Sequence, residues 1–188
     1  MPLTSLSQYT VQQQPPTLFD AIFDTPLPSC KIGARCNQQG ITCLRFLPGQ
    51  AAAHAPPPEH PQHTMLEQLN TQLLDYLNKP GVLFSLPLAA TGTAFQHRVW
   101  HVIAAIPYGE TRSYGQLAQQ LGSSARAIGG ACRANPLPLL VPCHRVIAAD
   151  GRNGGFLGQT AANKSAASIK QWLLHHEARS IPGYAPQH

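Results

Sequence analysis

The stretch Leu139–Gln159, LLVPCHRVIAADGRNGGFLGQ, constrains this chain more than any other. An apolar run, Leu137–Val141, ends at Pro142, whose missing N–H cannot continue a sheet ladder. Cys143 and His144 follow at once, and a glycine-rich loop, Gly151–Gly158, comes next. The pattern is that of a buried element stopped at a fixed turn that presents a thiol, with a pliable segment able to close over it. A lone Cys-His pair is more often structural than catalytic, because free cysteine is among the most buried residue types. On a strand, moreover, neighbouring side chains point to opposite faces, so adjacency alone does not pair thiol with imidazole.

The rest of the chain supplies the context. With 188 residues it can form one domain or two small ones sharing an interface. At 43% hydrophobic and 11% charged it suits a packed globular protein rather than a disordered one. No apolar run approaches the roughly 20 residues of a membrane span, so no membrane partner is expected. The first residues, MPLTSLSQYT, lack the charged and apolar regions of a signal peptide, which makes the cytoplasm the expected location, with association to the nucleoid if the source is prokaryotic. The five cysteines are an odd number, include no C-x-x-C pair and argue against a disulfide framework.

Charge is uneven. Residues 1–90 carry Lys31, Arg35, Arg45 and Lys79 against Asp20, Asp24, Glu59, Glu67 and Asp75, a net −1; residues 91–188 carry nine Lys or Arg against Glu110, Asp150 and Glu177, a net +6. The basic half is the half with the Cys-His turn, which suggests an anionic partner there, nucleic acid first.

Residues 1–17 are polar and Pro/Gln-rich, a poorly ordered lead-in. Leu18–Phe23 reads as a strand, Asp24–Ser29 as a turn, and Cys30–Arg35 with Ile41–Phe46 as a hairpin around Asn37–Gly40. Pro48–His63 reads as a loop. Its His54, His60 and His63, with Cys30, Cys36 and Cys43, match no standard zinc spacing, so a solvated histidine-bearing loop is preferred and no metal is expected. Thr64–Asn78 reads as a helix with the stripe Leu66, Leu69, Leu73 and Leu77, stopped by Lys79-Pro80-Gly81. Val82–Leu88 reads as a short strand and Ala89–Gly92 as a linker, placing a domain boundary near residue 90. Thr93 should cap a helix to Ile106 whose buried face is Phe95, Val99, Val102, Ile103 and Ile106. Ser113 should cap Tyr114–Leu121, closed by Gly122, and Ser123 or Ser124 should start another helix ending near Arg133. Two short helices around a glycine-containing turn make a helix-turn-helix pattern. Ile169–Glu177 should form the last helix, with Trp172 and Leu173 facing the core.

The second of the paired helices is unusual. Ala125, Ala127, Gly129, Gly130 and Ala131 are all small, and each helical glycine costs roughly 1 kcal/mol relative to alanine. Close packing of another helix would explain them, and so would close approach to another large surface. Base reading in the major groove needs long polar side chains, which are scarce here; a slim helix can instead enter the minor groove, whose code is degenerate.

Several motifs occur together: GTAFQHRVW (Gly92–Trp100), IPYGETRSYGQLA (Ile106–Ala118), SARAIGGACRAN (Ser124–Asn135), PCHRV (Pro142–Val146) and WLLHHE (Trp172–Glu177). In that order they resemble the O6-alkylguanine-DNA alkyltransferases, the methylated-DNA–protein-cysteine methyltransferases. The resemblance runs from about Thr91 to Glu177; the first 90 residues resemble the family only loosely, mainly through FDTPLPSCKIGA (Phe23–Ala34), which is similar to its opening hairpin. It implies an α+β protein: residues 1–90 form a small α/β domain with an RNase H-like sheet and a helix, and residues 91–188 a mainly helical winged-helix/helix-turn-helix domain. It also implies direct-reversal DNA repair by a monomer on double-stranded DNA containing O6-alkylguanine, with O4-alkylthymine a further substrate class, docked through the minor groove. The alkyl group passes once and irreversibly from a flipped-out base to Cys143.

Carried over residue by residue, His144 is the base, directly or through one water, and Glu177 orients it. Tyr114 helps rotate the nucleotide and donates a proton to the base, and Asn135 braces the turn. Val146 offers a backbone carbonyl to the guanine amino group, and Phe156 and Leu157 wall the pocket. Arg126 enters the base stack. The DNA surface is expected to comprise Arg126, Tyr114, Ala125, Ala127, Gly129, Gly130 and Arg133. No cofactor is implied, since the DNA is the alkyl donor; some members carry a structural zinc. The sequence departs from the family at Gly155-Phe156-Leu157-Gly158-Gln159, where a tyrosine hydroxyl and a small residue are replaced, and in a longer 159–168 segment, which bears on pocket size. The competing classes are a non-repairing lesion binder of the same fold, which would lack the cysteine, a helix-turn-helix regulator, which would need base-reading side chains, and a Cys-His hydrolase, which would need an oxyanion hole.

Overall fold

The computed structural model describes residues 19–27, 29–79, 81–152, 156 and 164–179. Leu157 and most of the departing 155–159 loop, like residues 1–17, lie outside the described residues.

The chain opens with an antiparallel sheet of β1 (Ala21–Asp24), β2 (Cys30–Asn37) and β3 (Gly40–Pro48), in that spatial order. The β2–β3 turn forms because Asn37 Oδ1 accepts from the backbone N–H groups of Gln39 and Gly40, at 2.8 and 3.2 Å. Gly40 is needed: its φ is +149°, and a Cβ there would sit 2.3 Å from the Pro87 carbonyl oxygen. The loop before helix α1 (His63–Asn78) touches the sheet by an isolated bridge between Ile22 and His54. His60 and His63 serve local bonds, to Gln62 N–H and Pro56 O. Among the described residues no group of three or more His, Cys, Asp or Glu is placed to hold a metal. The leucine stripe of α1 is buried in full, and Tyr76 joins it.

Val82–Leu88 departs from its expected form. Its side chains alternate as a strand's would, with Val82, Phe84 and Leu86 half-buried. Among the described residues only Leu88 pairs, in a bridge to Ile41 made by Ile41 N–H on Pro87 O and Ala89 N–H on Ile41 O, both 2.9 Å. A strand needs a partner along its length, and here the sheet edge meets the segment at one residue.

Helix α2 (Ala94–Ala104) begins at a full capping box between Thr93 and Gln96. It buries Val99, Trp100 and Ile103; Phe95 and Val102 are only partly covered, so its buried face is narrower than the apolar pattern suggests. A two-residue strand β4 (Arg112–Ser113) leads into α3 (Tyr114–Gln120), capped by a box between Ser113 and Gln116. Gly122, at φ +58°, turns the chain into α4 (Ala125–Arg133), capped by Ser124. The final helix α5 (Lys164–Ala178) starts five residues before the expected Ile169.

Leu137–Val141 is buried as expected, but as turns rather than an extended element: Leu139 has φ +75°, and Pro138 bridges only to Val141. The next residues, Cys143–Arg145, form one 3₁₀ turn, followed by β5 (Val146–Ile147), which pairs parallel with β4. That short pairing places the start of α3 beside the cysteine turn. One hydrophobic core runs through the sheet, α1, α2, the paired helices and α5. Among the described residues no helix is long and apolar enough to cross a membrane.

Candidate active site

A 3₁₀ turn advances about 120° per residue, so Cys143, His144 and Arg145 fan out in different directions. This resolves the difficulty a strand would have posed. All three are buried. The turn is braced from both sides: Asn135 Nδ2 donates to Val141 O at 2.9 Å, while Asn135 Oδ1 accepts from Leu137 N–H at 2.9 Å. The sheet adds a third brace, Leu44 N–H to Pro136 O at 2.8 Å.

His144 and Arg145 converge on Glu177 of α5. His144 Nε2 lies 2.9 Å from Glu177 Oε1. Arg145 grips the carboxylate with two donors, Nε to Oε2 and NH2 to Oε1, both 2.8 Å, and gives its NH1 to Ile106 O at 2.7 Å. Gly109 N–H donates to Oε2 at 3.1 Å and the Tyr76 hydroxyl to Oε1 at 2.6 Å. Burial opposes the charge of Glu177, yet the hydrogen bonds from His144 and Arg145 prevail and hold it well below the usual carboxylate range.

An ionised carboxylate only accepts, so Nε2 of His144 carries the hydrogen, and in the neutral ring Nδ1 keeps the lone pair. Nδ1 is buried and meets no hydrogen-bonding partner among the described residues. Burial lowers the His144 pKa, with Arg145 and Lys170 acting the same way and Glu177 opposing them. The result is a neutral imidazole with an available lone pair.

Burial pushes the Cys143 thiol up; a hydrogen bond from Asn135 and the charge of Lys170 pull it back. Lys170, fully buried on α5, donates to Val146 O at 2.6 Å and lies 6.0 Å from the Tyr114 ring centroid. Burial brings its own pKa down to about 8. The Val146 carbonyl expected to meet the base therefore already has one donor, and its second lone pair remains. Tyr114 is half-buried at the start of α3, and burial, then Cys132 and Cys143, raise its pKa, so it stays a neutral phenol. Phe156 is buried against Phe46 of β3, centroids 6.1 Å apart.

The structure thus brings together Cys143, His144, Asn135, Tyr114, Val146 and Glu177, with Tyr114 arriving through the β4–β5 pairing. It also adds groups that motif reading passed over. Lys170, Leu173 and Glu177 recur at i, i+3 and i+7 and are all buried, so the periodicity of α5 already put a lysine on its core face, where it needed a partner. Tyr76 lies three residues beyond Leu73, within the apolar stripe, with nothing in its spacing to mark its hydroxyl as functional. Arg145 sits inside the recognised pentapeptide and was unassigned.

Apart from Tyr114, which belongs to this centre, the expected DNA surface lies on α4. On α4, Ile128 and Ala131 face inward. Ala125, Arg126, Gly130 and Arg133 are exposed, and Ala127 and Gly129 half-exposed. Arg126, Gly130 and Arg133 stand at i, i+4 and i+7, one outward row. Among the described residues neither arginine has an ion-pair partner. Among the described residues a Cβ at Gly129 or Gly130 would meet nothing within 4 Å, so packing against them does not require these glycines.

Known proteins are similar to this chain in sequence and fold. Residues 94–179 match the family model for the DNA-binding domain of 6-O-methylguanine DNA methyltransferase. A methylated-DNA–protein-cysteine methyltransferase of Methanosarcina acetivorans is 33% identical over 162 residues, covering 85% of this chain and 98% of that protein. The solved O6-methylguanine methyltransferase of Mycobacterium tuberculosis is 32% identical with a TM-score of 0.65, covering 87% of this chain and 94% of that one. The structure of Mycobacterium tuberculosis OGT in complex with DNA is 34% identical with a TM-score of 0.66, covering 86% and 94%.

Proposed function

The chain belongs to the methylated-DNA–protein-cysteine methyltransferases, and we propose that it repairs alkylated DNA by direct reversal, with Cys143 as the terminal alkyl acceptor. The observation that carries this is the braced 3₁₀ turn, which sets a buried thiol beside a histidine whose Nε2 is fixed by Glu177 and whose Nδ1 meets no hydrogen-bond partner among the described residues.

DNA is the partner. The lesion cannot be reached in a stacked duplex, so the nucleotide turns out at a cost of a few kcal/mol, least for a poorly paired alkylguanine. The slim outward row of α4 lies in the minor groove, and Arg126 fills the place the nucleotide leaves. His144 Nδ1 takes the thiol proton through one water, as the lack of a direct thiol–imidazole hydrogen bond favours, and the imidazolium is held by Glu177. Lys170, when protonated, and Asn135 stabilise the thiolate. The sulfur attacks the alkyl carbon in line; the S–C bond forms as the C–O6 bond breaks, and its electron pair leaves with the guanine, which takes a proton from Tyr114. The thioether has no good leaving group, so each molecule acts once.

The test is whole-protein mass after incubation with duplex DNA carrying one O6-methylguanine. One added methyl group, absent in C143A and matched by restored guanine, is expected. Lesion-selective binding without a mass gain would make the chain a lesion binder instead.

A further inference from the structure

We infer that Tyr76, contributed by α1 from the sheet-bearing half of the chain, is a positioning residue for the transfer reaction, fixing Glu177 and limiting the negative charge that its carboxylate offers to His144. The inference rests on the alkyltransferase reading above.

The hydroxyl makes the shortest contact to that carboxylate, 2.6 Å to Oε1, and stands 3.4 Å from His144 Nε2. Its ring is 1% exposed. Phe84, Tyr108 and His176 surround it, with centroids at 5.2, 5.9 and 5.8 Å. Helix α5 also holds the backbone there, His176 Nε2 bonding Tyr76 O at 2.7 Å. Filling space does not explain the hydroxyl. Leu69, Leu73 and Leu77 of the same helix fill the core with no polar atom, and a buried hydroxyl costs stability unless it is bonded. Burial, then the charge of Glu177, keep the Tyr76 pKa well above its ordinary value, so the group donates throughout the working pH range.

The electrostatic sign follows from the sharing of Oε1 by three donors, from Tyr76, His144 and Arg145. Each draws on the same negative charge. The other groups bearing on this centre are Lys170 and His176 from α5, Cys143 on the turn, and Tyr108 after α2. Without the Tyr76 hydroxyl, more of the carboxylate's charge would bear on the imidazole, which would hold its proton more tightly. The lone pair that must receive the thiol proton would then be free only at higher pH. The carboxylate would also lose a positional constraint from α1.

The experiment is the single-turnover methyl-transfer rate of Y76F against the wild type from pH 4.5 to 9, on duplex DNA with one O6-methylguanine, with melting temperatures alongside. The acid limb, which lies below the ordinary histidine range because burial lowers the His144 pKa, is expected to move up by about half a pH unit in Y76F, giving a deficit that approaches roughly threefold below the limb and closes above it. F84L, which disturbs the ring's packing but keeps the hydroxyl, should lose melting temperature with its acid limb in place. A folded Y76F whose limb superimposes on the wild type overturns the inference. A loss of equal size at every pH overturns the charge-limiting role, since it would show that the hydroxyl does not bear on the proton of His144. If the wild type itself gains no methyl group, the alkyltransferase reading fails and Tyr76 has no reaction to position.

Discussion

Glu177 and the outward face of α4 use polar groups in opposite ways. Around the Glu177 carboxylate, donors from α1, the loop after α2 and the cysteine turn occupy both oxygens, in a centre 1% exposed. Along α4, Arg126 and Arg133 stand in solvent on either side of a glycine with open space where a side chain would be. The first region is complete as it stands, and its bonds fix the protonation and direction of one imidazole ring. The second does nothing for its own fold. Its small residues give up helix stability, and its charges lack internal partners among the described residues. A site for chemistry requires filling, whereas a surface for a large anionic partner requires room.

If that contrast holds, substitutions in the first region should damage chemistry and stability together, and those in the second should separate binding from stability. The largest effect belongs to the proposed nucleophile: C143A should reduce methyl uptake to nothing measurable by protein mass. Next comes Glu177→Gln. It keeps the shape but removes the charge, leaving Arg145 buried without its counter-ion, and should cost about 3–5 kcal/mol in denaturant unfolding at pH 7. The pH dependence has a definite sign. The folded pKa of Glu177 lies below its unfolded value of about 4.3, so its stabilisation is present above that value and lost as pH falls toward the folded one. Wild-type stability should therefore drop more steeply than that of E177Q below about pH 4. Parallel curves would mean that the carboxylate is not the charged centre of this cluster.

The same contrast explains what could be read from the sequence. Caps and stripes are local, so Thr93, Ser113 and Ser124 marked their helix starts and the leucines of α1 marked a buried face. The row of small residues on α4 was equally visible, although only the structure shows that no neighbouring helix fills the space beside Gly129 and Gly130. Cys143, His144 and Glu177 came from motif resemblance rather than periodicity. What escaped was long-range. Tyr76 reaches Glu177 across 101 positions, and nothing in its own helix distinguishes a tyrosine that packs from one that packs and donates. Val82–Leu88 alternates like a strand, but its sequence does not reveal that the sheet meets it at one residue. The 3₁₀ turn at Cys143 was hidden because a proline after an apolar run also fits the end of a strand.

Lys170 sharpens the comparison from inside the filled region. Its ammonium lowers the Cys143 thiol pKa, so K170M should raise it and slow carboxamidomethylation of Cys143 by iodoacetamide roughly tenfold at pH 7.5. Because Lys170 loses its own proton near pH 8, the gap between the two proteins should narrow above that pH. Peptide mass distinguishes Cys143 from the neighbouring Cys132, whose thiol burial pushes up to about 12. Equal rates at every pH would leave Lys170 as a bracket for Val146 alone.

The smallest expected effect tests the open region most directly. Gly130 is exposed, helical and free of any contact a Cβ would make. G130A should therefore stabilise the protein, by about 0.5–1 kcal/mol, because alanine loses less backbone freedom on forming a helix. G130L should also fold at least as well as the wild type, since its side chain enters solvent. In the proposed DNA complex, however, it would stand between Arg126 and Arg133, where the proposed docking brings the duplex close, and the dissociation constant for lesion-bearing duplex should rise about tenfold, a loss of roughly 1.4 kcal/mol. Stability gained and affinity lost at one position would show that the glycine serves the partner and not the fold. A G130L that binds DNA as tightly as the wild type would move the contact surface off this row of α4. A destabilised G130A would mean that something covers the helix where the structure leaves it open.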